Sequence, residues 1–526
     1  MSKKKQKAKS IYNAESDEKD FQKTKRMFEF MQEHKRSQES IIEDIRQLLR
    51  PINERSLLLH IQSAIAAMPH REEVQMLKGM ASPLRQMEYL IDLYYSTEDR
   101  INKDKINEDM WGQLISLLNE IEMSYFFTIS GFEEDGFEQQ REKAVSMATF
   151  IQAYSNPRFA YDEQVLERIQ RHFIPFESEI MQEYGFGVDD IVRLLGHVED
   201  LYNQKLTSCA LQWETYRRDV SKWHAMTSFW IAKGIHDNKW AEQPEIRDMF
   251  QYISELGSVF LQPISQLYEV DVPRENVGSI LKYLTYEKDQ TTGRNIYYTD
   301  QRTYTSHPFI RIEDEYLCPV MKLSVEAVYD RLNVFLLNSK LKARYVAYKS
   351  KEVEAKVIEI LDKIFPENAM RYAGYFIEPN KEQDILYVWD GFCFIIEVKD
   401  YAQRDPRIDP YKSFTRINDD FKRCIQKGFD QCRRVERVLL KDNDVVICNS
   451  PKCDNVAGII RSEDIKDCFT IVVTRDTSAY IQTDLSNLLQ KEPEAHYPWV
   501  VAIDDLEIFV MLLKKLKQEN AVNAFS

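Results

Sequence analysis

The feature that most constrains this chain is the stretch KEQDILYVWDGFCFIIEVKD, Lys381 to Asp400, in which Asp390-Gly391 separates two runs of β-branched and aromatic residues. Asp-Gly between such runs signals a two-residue type I′ hairpin, whose turn residues must both take positive φ. Counting outward from that turn pairs Trp389 with Phe392, Val388 with Cys393 and Leu386 with Ile395, and sets Asp384 opposite Glu397. Opposed residues share one face at roughly 4.5–5.5 Å between Cβ atoms, and strand alternation adds Lys399 to that face. Two carboxylates and an ammonium therefore converge at the open end of an apolar hairpin. Directly opposed like charges destabilise a sheet unless something binds between them, and a divalent cation is the natural candidate.

The flanks extend the pattern. Upstream, SKEVEAKVIEILDKIF places Val353, Val357, Ile360 and Leu361 on one helical face, with Ser350 as the expected N-cap and Glu354 among the early residues. Downstream, DDFKRCIQKGFDQCRRVERVLL predicts a long helix with Phe421, Cys424, Ile425, Phe429, Cys432, Val435 and Val438 inward and Gln431 beside them. Strand-like runs follow at Asp444–Cys448 and Phe469–Val473, and YPWVVAIDDLEIFVMLLKKL predicts a strand feeding a terminal helix.

Asp384 followed by Glu397-Val398-Lys399 resembles the motif of the PD-(D/E)xK nuclease superfamily, the restriction-endonuclease-like fold, with Gln383 where many members carry proline. The order helix, strands, helix, strand is also that of the superfamily core, and the resemblance covers roughly the last third of the chain. It implies a mixed sheet flanked by helices that hydrolyses phosphodiester bonds of DNA, with RNA as the alternative substrate. By the same resemblance Asp384 and Glu397 bind Mg²⁺ (or Mn²⁺), helped by the Val398 backbone carbonyl, and Lys399 positions or activates water. Glu354 matches the glutamate of the family's first helix, and Gln431 matches a glutamine near the scissile phosphate. The chemistry suits the residue types, because Mg²⁺ is a hard cation that prefers carboxylate and carbonyl oxygens.

Composition describes what carries this segment. A chain of 526 residues implies two to three domains, and only 15 glycines and 17 prolines fit a helix-rich protein. The expected organisation is α+β and multidomain. Residues 1–15 form a basic disordered tail, 16–265 a mostly α-helical regulatory or recognition region, 266–348 a mixed α/β connector packing on the nuclease core, and 349–526 the α/β nuclease domain. Within the helical region Ile191, Leu194, Leu195, Val198, Leu201 and Tyr202 form an apolar stripe with Asp189 as candidate N-cap. Met27, Phe28 and Met31, then Ile41, Ile42, Ile45, Leu48 and Leu49, form another, and Trp213, Tyr216, Trp223 and Trp230 are expected in the core. In the connector, TYEKDQTTGRNIYYTDQRTYTSHP is polar and turn-rich, an expected exposed loop or hairpin, and PFIRIEDEYLCPV predicts two short strands before an amphipathic helix.

The start, MSKKKQKAKS, lacks the apolar stretch of a secretory signal, and no run reaches the roughly 18 apolar residues of a membrane span. Eight cysteines, several within apolar runs, fit a reduced, cytoplasmic setting. A zinc site from Cys424, Cys432, Cys448 and Cys453 is disfavoured because no CxxC pair is present. No GxxxxGK[ST] or GxGxxG motif points to a nucleotide cofactor. The net charge of −15 is an average that hides a basic segment. Arg404, Arg407, Lys412, Arg416, Lys427 and Arg434 are the expected contacts to a nucleic-acid backbone, with Tyr401 and Phe414 available for stacking.

A nuclease domain with a large helical extension resembles bacterial effectors of defence against phage, in which the helical region controls activity and binds partner proteins. Double-strand cleavage needs two sites, which implies a homo-oligomer. The other reading is a nuclease-like fold without catalysis, serving as a nucleic-acid or partner-binding module.

Overall fold

The computed structural model describes residues 36–68, 77–129, 136–155, 160–235, 239, 256–288, 296–401, 404, 410–441, 443–477 and 480–515. The basic tail, Met27, Phe28, Met31 and Arg407 lie outside them. So do the side chains of Trp213, Tyr216 and Trp223.

Through residue 235 the described chain is built on helices: α1 (Gln38–Leu49), α2 (Glu54–Ala66), α3 (Pro83–Ser96), α4 (Glu108–Ile129), α5 (Phe137–Ser155), α6 (Asp162–Phe173), α7 (Glu177–Tyr184) and α8 (Val188–Ala232). Ser37 and Asn53 cap α1 and α2 by accepting backbone N–H bonds from Ser40 and Ser56. Asp189 lies inside the first turn of α8, whose N-cap is Gly187; the neighbouring Asp190 carboxylate accepts the Gly187 N–H at 2.9 Å. Next come β1 (Gln262–Pro263), α9 (Arg274–Leu284), β2 (Ile310–Ile312), β3 (Glu315–Leu317) and α10 (Lys322–Asn338). The three short strands form a small antiparallel sheet, with the β2–β3 reversal turning at Glu313, whose φ is +56°.

The described residues between 256 and 345 share their apolar cores with the preceding helices. Tyr298, Tyr304, Ile310 and Leu317 join the cluster built by α1 to α4, and Val328, Leu332 and Tyr345 join the one built by α6 and α8. The described part of the polar stretch expected to be exposed is thus partly internal. Tyr298 and Tyr304 are buried with their hydroxyls satisfied: the Tyr298 hydroxyl donates to Glu122 at 3.1 Å and the Tyr304 hydroxyl accepts the Val320 N–H at 3.2 Å.

The C-terminal half is a three-layer arrangement. Its sheet comprises β4 (Met370–Phe376), β5 (Glu382–Trp389), β6 (Phe392–Lys399), β7 (Val445–Cys448), β8 (Val456–Ile460), β9 (Asp467–Thr474) and β10 (Trp499–Ala502), in the order β10-β9-β6-β5-β4-β7-β8. Pairing is parallel from β10 through β9 to β6 and antiparallel elsewhere. One face packs on α11 (Lys342–Leu361) and α14 (Ile503–Lys515) through Val353, Val357, Ile396, Val398, Val473 and Leu506. The other face packs on a nearly continuous helix: α12 (Pro410–Phe421), a π turn (Lys422–Gln426) and α13 (Lys427–Leu439). Ser350 is interior to α11, which begins at Lys342 because Tyr345 anchors its first turn among the N-terminal helices. Position 349, the expected domain start, likewise falls within this helix.

Further contacts tie the helical region to this half. Val145 of α5 sits in one apolar cluster with Phe414, Ile417 and Phe421 of α12. Lys356 of α11 donates to Glu167 of α6 at 2.8 Å and to Glu507 of α14 at 2.8 Å, while Arg168 of α6 pairs with Asp504.

Candidate active site

The hairpin forms with the counted register: Trp389 faces Phe392, Val388 faces Cys393, Leu386 faces Ile395 and Ile385 faces Ile396. Asp390 and Gly391 both take positive φ, +49° and +82°, as a type I′ turn requires. One step beyond the last ladder pair, Asp384 meets Glu397. The Asp384 N–H reaches Glu397 Oε1 at 3.4 Å, and Asp384 Oδ2 accepts the Val398 N–H at 2.7 Å. Lys399 Nζ lies 2.7 Å from Glu397 Oε2 and 3.5 Å from Asp384 Oδ2. The three side chains therefore meet on the face covered by α13, the face that also carries Leu386 and Ile395.

The electrostatics follow from burial. Glu397 is 0% exposed. Desolvation, with the Asp384 charge beside it, pushes its carboxyl up to about 8. Glu354, on α11 in the opposite layer, is raised to about 7 by burial and then by Asp384 and Glu382. For Lys399 burial opposes the charged form, yet Glu397 and Asp384 outweigh it and hold the ammonium above its ordinary range. Positive charge is scarce here relative to the carboxylates around it.

Such a donor set fits a hard divalent cation, since Asp384, Glu397 and the Val398 carbonyl all offer oxygen and the raised carboxyls would ionise beside one. Lys399 occupies the position between the two carboxylates. Among the described residues no three His, Cys, Asp or Glu side chains converge at metal-ligand geometry.

The other expected residues divide. Gln431 lies on α13 one turn after Gly428, and its Oε1 is buried without a hydrogen-bond partner. A Cβ added at Gly428 would stand 3.3 Å from Lys399 Cε and 2.9 Å from Val472 Cγ1, so this helix passes close over the site. Lys412 and Lys427 are exposed, whereas Arg416 and Arg434 are only partly so. Arg404 is committed internally: its Nε donates to Asp420 at 2.8 Å, and Tyr401 hydroxyl bonds the same carboxylate at 2.9 Å. Phe414 is buried in the core. Sequence reasoning missed Gly428, whose signal was its place in an otherwise bulky helix, and Asp400, which follows Lys399 directly.

Comparison with protein-family models, curated proteins and solved structures finds no match to this chain. Among the described residues no helix is long and apolar enough to cross a membrane.

Proposed function

We propose that this protein is a metal-dependent nuclease of the PD-(D/E)xK type, acting on DNA in bacterial defence, with its helical region controlling the catalytic half. The observation that carries the reading is the meeting of Asp384, Glu397 and Lys399 on one face at the end of a central hairpin. Asp384, Glu397 and the Val398 carbonyl are the groups that would hold Mg²⁺ or Mn²⁺, which would supply charge stabilisation at the attacked phosphate and the leaving oxygen. Lys399, fixed by two carboxylates, orients the attacking water by donating hydrogen bonds and adds positive charge next to the phosphate. Glu354, raised to about 7, can accept a proton from water near neutral pH. Gln431 offers a hydrogen-bonding amide from the covering helix. Control by the helical region is supported by the ion pairs from Glu167 and Arg168 to α11 and α14.

One observation favours a second reading, a nuclease-like fold that binds without cutting. Lys399 Nζ already lies 2.7 Å from Glu397 Oε2, which gives the buried carboxyl a polar partner without a metal. The test incubates purified protein with plasmid, linear DNA and RNA in Mg²⁺, Mn²⁺ or EDTA, beside Asp384→Ala and Lys399→Ala. Metal-dependent cleavage that both substitutions abolish supports the nuclease. Binding without cleavage under every condition supports the second reading, and equal cutting by all three proteins identifies a contaminant.

A further inference from the structure

Lys399 is the last residue of β6, where strands ordinarily fray. Its carbonyl accepts two N–H bonds, from Tyr401 at 2.9 Å and from Arg475 at 3.2 Å, so the chain reverses tightly around Asp400. The Asp400 carboxylate then faces two cations from different elements. Lys349 Nζ of α11 lies 2.9 Å from Oδ2, and Arg475, just past β9, approaches Oδ1 at 3.4 Å. All three side chains are largely buried, at 7% exposed for Lys349, 13% for Asp400 and 9% for Arg475. Arg475 also pairs with Asp476 at 3.0 Å, which leaves two cations against two anions. Above them Tyr329 of α10 and His172 of α6, bonded to each other at 3.1 Å, are buried within electrostatic reach of Arg475.

Stability alone is a weak reason to bury such a cluster, because apolar replacements of buried ion pairs are often neutral or stabilising. What the cluster does is lock geometry. Lys349 stands five residues before Glu354 on one helix, and Asp400 directly follows Lys399, the last residue of β6. The Lys349–Asp400 pair therefore fixes the helix bearing Glu354 against the strand bearing Glu397 and Lys399.

We propose that Asp400, gripped by Lys349 and Arg475, is the positioning residue that holds Lys399 and the Glu354 helix in working register. The catalytic consequence rests on the nuclease reading above; the positional claim does not. The experiment uses the full chain as wild type, Asp400→Asn, Lys349→Met, their double variant and Lys349→Arg. Backbone hydrogen exchange, measured without metal or nucleic acid, is expected to rise at least roughly tenfold over residues 398–401 in Asp400→Asn and Lys349→Met, with protection in α3 unchanged. Cleavage kinetics on a duplex are expected to show kcat falling about 10- to 100-fold, as for other displaced orienting groups, with KM held within about twofold. The double variant is expected to be no worse than the worse single one, since both remove the same contact, and Lys349→Arg to recover most of the loss. Unchanged exchange at 398–401 in either single variant overturns the proposal whether or not the protein cuts. Raised exchange in both single variants, with a wild type that never cleaves, supports the positional claim and removes the nuclease reading. If Asp400→Asn does not fold, the comparison of Lys349→Met with Lys349→Arg decides the question on the same readout.

Discussion

Asp384 Oδ2 accepts the backbone N–H of Val398 at 2.7 Å, so the first carboxylate is fastened to the strand that carries the second. Removing it alters geometry and charge together. In Asp384→Ala the Glu397 carboxyl, still held up mainly by burial, loses its nearest negative neighbour and moves downward. Cleavage is expected to drop by about 10²- to 10³-fold, on the scale seen when a group stabilising transition-state charge is lost. Titration of Glu397 by carboxyl NMR is expected to shift downward at the same time. A Glu397 carboxyl still near 8 in the variant would exclude Asp384 as its perturbing neighbour.

Stability is expected to depend on pH in a direction set by the raised carboxyls. Glu397 titrates near 8 and Glu354 near 7 when folded, against about 4.5 when unfolded. Between those values the folded chain binds more protons, so unfolding free energy falls as pH rises from about 5 to 8. A bound divalent cation favours the ionised forms and offsets this loss. Melting curves in EDTA should therefore decline over that window, and Mg²⁺ should raise the melting temperature more at pH 8 than at pH 6. An equal Mg²⁺ effect at both values would count against a metal held by these groups.

Gly428 tests how closely α13 must lie on the sheet. A methyl there meets Val472 at 2.9 Å and Lys399 at 3.3 Å, and the valine cannot swing away as a long flexible chain would. Gly428→Ala is expected to cost about 1–3 kcal/mol by overpacking, despite the gain in helix propensity. Chemical denaturation measures this directly. A stabilised variant would show that the helix is free to retreat.

Two cationic residues should behave differently toward nucleic acid. Exposed Lys427 is expected, on alanine substitution, to reduce the slope of log affinity against log salt by about 1 without altering the melting temperature. Arg404 is bound to Asp420, and Tyr401 shares that carboxylate, so Arg404→Ala should lower stability as well. Filter binding across a salt series, with melts alongside, separates the two.

The hairpin was legible because its turn chemistry, register and alternation are local properties of twenty consecutive residues. From Asp390-Gly391 the contact between Asp384 and Glu397 follows by counting, and the structure has that register. Two other strands of the sheet were not legible. Strand β4 has an irregular burial pattern and contains Gly374 at φ +58°, which breaks the alternation that marks a strand. Strand β8 is a mostly exposed edge with Gly458 at its centre. The π turn leaves no compositional trace, and the helix through it reads as regular. Least visible was the cluster of Lys349, Asp400 and Arg475, three ordinary charged residues whose meeting is purely tertiary. A helix boundary at Ser350 failed for a similar reason: tertiary packing of Tyr345 extends α11 past a good capping residue.

Strand order has a practical corollary. On one side β6 is shielded from the rim by β9 and β10, and on the other β5 is shielded by β4, β7 and β8. A tag, fused domain or second molecule that pairs with either rim would stay at least two strands from Asp384 and Glu397. The rims are therefore the places to graft additions without disturbing the hairpin, and an influence meant to reach it must press on a helix-covered face.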